Sequence, residues 1–257
     1  MKARRTVKLV VTGISFLAVT AAFDSWAQTS TCADCHIANF QTDPLPEHTR
    51  DWEMSAHGRA SVGCETCHGG NATTYEPFLA HQGILTSRNP ASDTHRSNLP
   101  RTCGKCHAGP FVGFQSSRHF ALLREGRGEG PTCSTCHGAV AARLLSPRAL
   151  EKQCEKCHGP SGVHPNSDYP PEGRILHQEV LAVRELLEPV PKLLRRVKEP
   201  ERRRLLEDAY QQAQVPLTEA VSSAHSFRFE NMRERLLDAK EKSEALLNEL
   251  ANPAKPD

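Results

Sequence analysis

Five times between residues 32 and 158 the chain spells Cys-x-x-Cys-His, and no other feature restricts its fold as tightly. The copies are Cys32-Ala33-Asp34-Cys35-His36, Cys64-Glu65-Thr66-Cys67-His68, Cys103-Gly104-Lys105-Cys106-His107, Cys133-Ser134-Thr135-Cys136-His137 and Cys154-Glu155-Lys156-Cys157-His158. They use all ten cysteines, so none is left over. Two thiols three positions apart can add to the two vinyl groups of one haem, and the next residue then sits under the iron as its proximal ligand. The sequence therefore predicts five haem c groups. Their thioether anchors are Cys32, Cys35, Cys64, Cys67, Cys103, Cys106, Cys133, Cys136, Cys154 and Cys157. Their proximal ligands are His36, His68, His107, His137 and His158. A disulfide framework does not require a histidine after every second cysteine. Zinc ribbons would leave five histidines in register without a reason, and a thioredoxin-like redox pair explains at most one copy.

The rest of the chain offers little with which to build an ordinary interior. Hydrophobic residues make up 38% and aromatic residues 5% of 257 residues. Five haems amount to about one for every 46 residues of the chain that follows residue 27. So little protein cannot wrap each porphyrin separately, so the haems are expected to pack on one another and form the core themselves. Close packing makes electron hopping between irons the expected activity, with burial and propionate placement setting the potentials.

Residues 1–27 read as a signal peptide. Lys2, Arg4, Arg5 and Lys8 form a basic start, Leu9 to Phe23 an apolar stretch of 15 residues, and Ser25-Trp26-Ala27 a small-residue cleavage site. The stretch is shorter than the roughly 20 residues that span a bilayer; an uncleaved anchor stays open as an alternative. The expected location is periplasmic or extracellular, where c-type haem attachment takes place. Cleavage leaves 28 basic and 29 acidic residues. That balance gives no case for nucleic acid, and two propionates per haem would turn the surface acidic and favour basic partner faces.

Composition shifts near residue 173: all the cysteines and all 16 glycines lie at or before Gly173, and Leu, Glu, Arg and Ala dominate beyond it. The expected organisation is a pentahaem domain over 28–172, a helical domain over 173–252 and a tail over 253–257. The fold class is mainly α with much irregular structure, a haem-packed core followed by a helical hairpin or three-helix segment. Leu176, Val180, Val183 and Leu187 recur at helical spacing, and Pro189, Pro191 and Pro200 break the run. A second helix is expected over 201–213. Pro216 suits the first position of a third, running from Leu217 to Asn252 for roughly 50 Å.

Ten imidazoles would give every iron two histidines, and the chain has 13. Beyond the proximal five stand His48, His57, His81, His95, His119, His164, His177 and His225. Apart from Met1 the methionines are Met54 and Met232, so bis-His coordination is the expectation. His81 lies 13 residues past His68, and His225 shares a helical face with Val221, Phe229, Met232 and Leu236; both are distal candidates.

Trp52-Glu53-Met54-Ser55-Ala56-His57, with Cys64-Glu65-Thr66-Cys67-His68-Gly69-Gly70 after it, resembles the multihaem superfamily that includes hydroxylamine oxidoreductase and the small tetrahaem cytochromes c serving it. Phe114-Gln115-Ser116-Ser117-Arg118-His119 repeats the Ser-x-His theme, and Cys157-His158-Gly159-Pro160-Ser161-Gly162-Val163-His164 is similar to that family's haem motif with a nearby distal histidine. The resemblance covers about 32–165 and implies His57, His119 and His164 as distal ligands. All five motifs end in His, unlike the ammonia-forming nitrite reductases, which carry one Cys-x-x-Cys-Lys. None of Tyr75, Tyr169 and Tyr210 stands in the setting of the hydroxylamine oxidoreductase tyrosine, so no catalytic residue is assigned.

The leading expectation is an electron-transfer protein, more a relay than an enzyme, serving redox protein partners such as a membrane quinol-oxidising system. Two alternatives stand beside it. One is a haem enzyme with one open iron acting on a small nitrogen or sulfur compound. The other is a subunit of a homo-oligomer, cytochrome filament or larger electron-transfer complex.

Overall fold

Short helices joined by turns lead into a set of longer ones, and the computed structural model describes them over residues 30–39, 46–126 and 130–252. The expected signal segment 1–27 and tail 253–257 lie outside the described residues. The first group comprises α1 (Thr31–Ala38), α2 (Pro46–Met54), α3 (Ala56–Arg59), α4 (Glu65–His68), α5 (Pro77–Ala80), α6 (Leu99–Gly104), α7 (Ala108–Gln115), α8 (Arg118–Arg124), α9 (Cys133–His137) and α10 (Pro147–His158). The second comprises α11 (Tyr169–Leu187), α12 (Val190–Leu194), α13 (Pro200–Ser226) and α14 (Phe229–Ala251). There is no strand among the described residues, so the mainly helical class expected from the sequence is the one observed.

The short helices start on polar caps. The side chains of Ser55, Glu76, Ser117 and Ser146 each accept from a backbone N–H in the first turn of the helix they precede, and Pro77 and Pro147 sit where a missing N–H costs nothing. Gly69 and Gly138, each the residue after a motif histidine, adopt φ of 74° and 83° and stop α4 and α9 there.

The long helices hold the protein's contiguous apolar core. Leu176, Val180, Val183 and Leu187 of α11 are buried as their spacing foretells, against Val190 and Leu194 of α12, Leu206 of α13 and Met232, Leu236 and Leu246 of α14. Ala213, Ala220 and Ala239 are fully buried, and their small size lets α13 and α14 approach closely. Arg233 of α14 pairs with Glu172 of α11, and Arg174 of α11 with Glu151 of α10 at 3.1 Å. Both are half-exposed pairs worth little individually.

The expected helix boundaries in this region are corrected. Pro216 does not begin a helix; it is buried inside α13, which continues to Ser226. Proline has no N–H to donate on that turn, and burial of Pro216 among the packed helices offsets the loss. The expected helix from Leu217 to Asn252 instead breaks at Phe227, whose left-handed φ of 57° ends α13 and reverses the chain into α14. His225 and Val221 therefore lie on one helix and Phe229, Met232 and Leu236 on the next, not on one shared face.

The region before α11 has no comparable core. Its buried apolar side chains among the described residues are Ala33, Trp52, Pro100, Phe114 and Leu123, whereas Phe78 is 78% and Leu144 88% exposed. The two regions dock where α7 crosses α13. A Cβ on Gly113 would stand 2.5 Å from the Ser222 carbonyl oxygen and 3.3 Å from the His225 Cβ. Gly113→Ala tests this contact, because helix propensity alone favours alanine by about 1 kcal/mol. The clash outweighs that gain, and thermal unfolding of the haem-loaded protein should show a net loss of about 1–3 kcal/mol.

Candidate haem sites

Each motif occupies about one helical turn. The His68 N–H donates to the Cys64 carbonyl at 2.9 Å and the His107 N–H to the Cys103 carbonyl at 2.9 Å, the i to i−4 pattern that puts the two cysteines of a motif on one face. The first motif rides on α1, the fourth forms α9 and the fifth ends α10. Successive motifs adjoin. Cys32 Sγ lies 3.9 Å from a Glu65 carboxylate oxygen, and Cys103 shares a hydrogen bond with Cys133. Burial first, then Cys32 and Glu65, pushes the Cys64 thiol up to about 11. Burial and then Cys103 raises Cys67, and burial followed by Cys154 and Cys157 pushes Cys136 up to about 11. The hydrogen bond raises Cys103 and lowers Cys133. The neighbours are thus one–two, two–three, three–four and four–five, which is the order of the sequence.

Four of the motif histidines face a second imidazole. Ring centroids are 6.0 Å apart for His36 and His81, 6.1 Å for His57 and His107, 6.0 Å for His119 and His158, and 6.2 Å for His137 and His225. These gaps are too wide for direct stacking and suit one metal between the rings. Metal–nitrogen bonds of about 2.0 Å on each side, plus the distance from nitrogen to ring centre, give ~6 Å. Backbone carbonyls fix several of the rings. Nδ1 donates to Pro77 from His81 at 2.7 Å, to Arg143 from His137 at 3.0 Å, to His164 from His158 at 2.9 Å and to Val221 from His225 at 3.0 Å. A carbonyl can only accept, so each contact keeps the proton on Nδ1 and leaves the Nε2 lone pair for a metal. The donor set and the sparse core around it both fit haem.

The Ser-x-His theme has a local cause. Ser55 and Ser117 are buried N-caps. Each hydroxyl accepts from the N–H three residues on, Gly58 at 3.0 Å or Phe120 at 3.1 Å, and donates to the carbonyl three residues back, Trp52 at 2.7 Å or Phe114 at 2.6 Å. His57 and His119 therefore occupy the same position in the first turn of α3 and α8. Burial, then His158 and His164, pushes His119 down to about 4. Burial also lowers His225, with His137 adding to the effect and the Val221 hydrogen bond opposing it.

The remaining histidines are placed differently. Among the described residues His164 forms no ring pair; its backbone carbonyl accepts from His158 Nδ1, and its charge adds to the lowering of His119. His95 shares a 2.6 Å hydrogen bond with Ser97 in a turn, and His177 lies on α11, lowered by burial and by Arg184. Among the described residues His68 is not paired ring to ring as the other four motif histidines are, but His48 on α2 is near enough to add to the burial that lowers it. Spacing gave no signal for His48, since α2 and the motif meet only in three dimensions.

Residues 88–159 match the family described as cytochrome c7 and related cytochrome c, and residues 15–69 match that of cytochrome c554 and c-prime. The C-type polyheme cytochrome OmcC of Geobacter sulfurreducens is 27% identical over 134 residues, covering 51% of this chain and 14% of OmcC. The C-type polyheme cytochrome OmcB of the same organism is 29% identical over 127 residues, covering 45% of this chain and 15% of OmcB. The chain thus spans a small fraction of the length of these relatives. No solved structure matches it.

Proposed function

We propose that this chain, a multihaem c-type cytochrome, carries five haems c in sequence order and passes single electrons along them between redox proteins. The observation that carries the reading is the set of four imidazole pairs at 6.0–6.2 Å, each containing one motif histidine. Haem supplies an iron that gains or loses one electron. The chain's own residues would do the rest: paired cysteines would anchor the group, paired histidines would hold its iron, and carbonyls orient the rings. The assignments are His36 with His81, His107 with His57, His137 with His225 and His158 with His119, with His48 serving the His68 site. The adjacency of successive motifs supports a row. The shared Ser-x-His cap supports kinship with the hydroxylamine oxidoreductase superfamily, and haem attachment supports export to the periplasm or cell surface, with a quinol-oxidising membrane system among the candidate partners.

A second reading rests on the His68 site, where among the described residues no ring pair forms as at the other four. With His48 away from it, that iron would be open to a small nitrogen or sulfur compound. Intact mass and an oxidised EPR spectrum with haem quantitation test both readings. The expected result is five haem masses added to the polypeptide and low-spin signals throughout. One high-spin signal that shifts with cyanide, nitrite or hydroxylamine would favour the enzyme. A colourless folded chain of bare mass would end the relay.

A further inference from the structure

Among the paired histidines, His119 differs in one respect. Its Nδ1 is buried and has no hydrogen-bond partner, whereas His81, His137, His158 and His225 each donate theirs to a backbone carbonyl. The nearest aromatic neighbour is Phe227, edge-on with ring centroids 4.2 Å apart. A benzene ring packed on the imidazole supplies no lone pair of the kind those four histidines find. Phe227 is also a non-glycine residue at φ 57°, a conformation that costs a bulky side chain energy. Asparagine would sit there with less strain and would bring an acceptor.

An imidazole whose N–H is hydrogen-bonded is a stronger donor to its metal, which stabilises the oxidised state and lowers the potential. Both rings of the His137/His225 pair have this support, but only His158 does in the His119/His158 pair. We infer that Phe227 is a potential-setting residue: by denying His119 an acceptor it holds the His119/His158 site at a higher potential. This rests on the ligand pairing proposed above. An electron shared between the two neighbouring sites then favours the His119/His158 end, and one gained there is one lost from the His137/His225 site.

The test uses haem-loaded full-length protein, with each haem's midpoint followed by potentiometric titration under EPR. Phe227→Asn should lower one haem's potential by about tenfold in its reduction equilibrium, ~59 mV for one electron, and leave the others in place. Phe227→Gly, which admits water as the acceptor, should move the same haem in the same direction and stands in if the asparagine variant fails to accumulate. Phe227→Leu keeps the position apolar and should show no such fall. His119→Met identifies the haem concerned by changing its axial-ligand signature. If that variant leaves every haem spectrum unaltered, the ligand pairing is wrong. If it alters one haem whose potential neither the asparagine nor the glycine variant lowers, Phe227 does not have the role inferred for it.

Discussion

Chain that has been denied haem will lose the order of the described residues before 166 and keep the helices of 169–251. The reason lies in where apolar side chains are buried. The contiguous core is drawn from α11, α12, α13 and α14, with Leu206, Val190, Ala213, Ala220 and Ala239 wholly withdrawn from solvent. Before α11 the described residues bury Ala33, Trp52, Pro100, Phe114 and Leu123 and leave Phe78, Val112, Leu144 and Val163 largely exposed. A few scattered residues cannot offset backbone ordering that costs about 1–2 kcal/mol per residue. Helices of four or five residues do not persist unaided either, since nucleation is unfavourable. The long helices keep their own packing, worth about 3–5 kcal/mol for a unit of that size. Hydrogen exchange on full-length protein made without haem attachment is the check. Expected protection is near zero over 30–165 and substantial in α13 and α14. Equal protection in both regions would mean that the protein alone supplies the missing core.

His225→Ala should turn one haem high-spin while the other four stay low-spin. His225 stands on the last turn of α13, held by the Val221 carbonyl at 3.0 Å, with its ring 6.2 Å from that of His137. No other histidine is paired with His137 among the described residues. The signal lost should be identifiable. The His137 and His225 planes are 23° apart, close to parallel, while those of His36/His81 and His57/His107 are 65° and 61° apart. Near-parallel imidazoles separate the two iron orbitals that a crossed pair leaves nearly equal in energy, so this site should give the most rhombic low-spin spectrum. Its disappearance with the gain of a high-spin signal, reversed by cyanide, is the expected outcome. His164→Ala provides the contrast: its backbone carbonyl remains to orient His158, so all five spectra should persist. A high-spin signal in that variant would return His164 to the ligand set.

The motifs and the tail's apolar spacing were readable because each is a local pattern. Cys-x-x-Cys-His is complete within five residues, and Leu176, Val180, Val183 and Leu187 fall on one face through helical geometry alone. The partners of the motif histidines were less readable, since His36 and His81, or His137 and His225, are joined by the fold across long stretches of chain. His57 and His119 were named through the resemblance, and the Ser-x-His spelling they share is the local sign of the helix cap before each. His164 looked equally suitable in sequence; its carbonyl accepts from His158, and its charge reaches His119. Pro216 and Phe227 misled in complementary ways. Proline is a strong breaker by local rules, but here tertiary packing keeps it within α13, while nothing local marks an aromatic residue as the place where a helix reverses.

The four imidazole pairs also divide the polypeptide. The interval from His36 to His81 interlocks with that from His57 to His107, and the interval from His119 to His158 interlocks with that from His137 to His225. No interval crosses the stretch between 107 and 119. An insertion within 108–118 separates no facing rings, but α7 lies there and docks on α13, and Cys103 meets Cys133 across it. The two interlocked halves are therefore blocks of several cofactors, joined through α7 and through the contact of the third motif with the fourth.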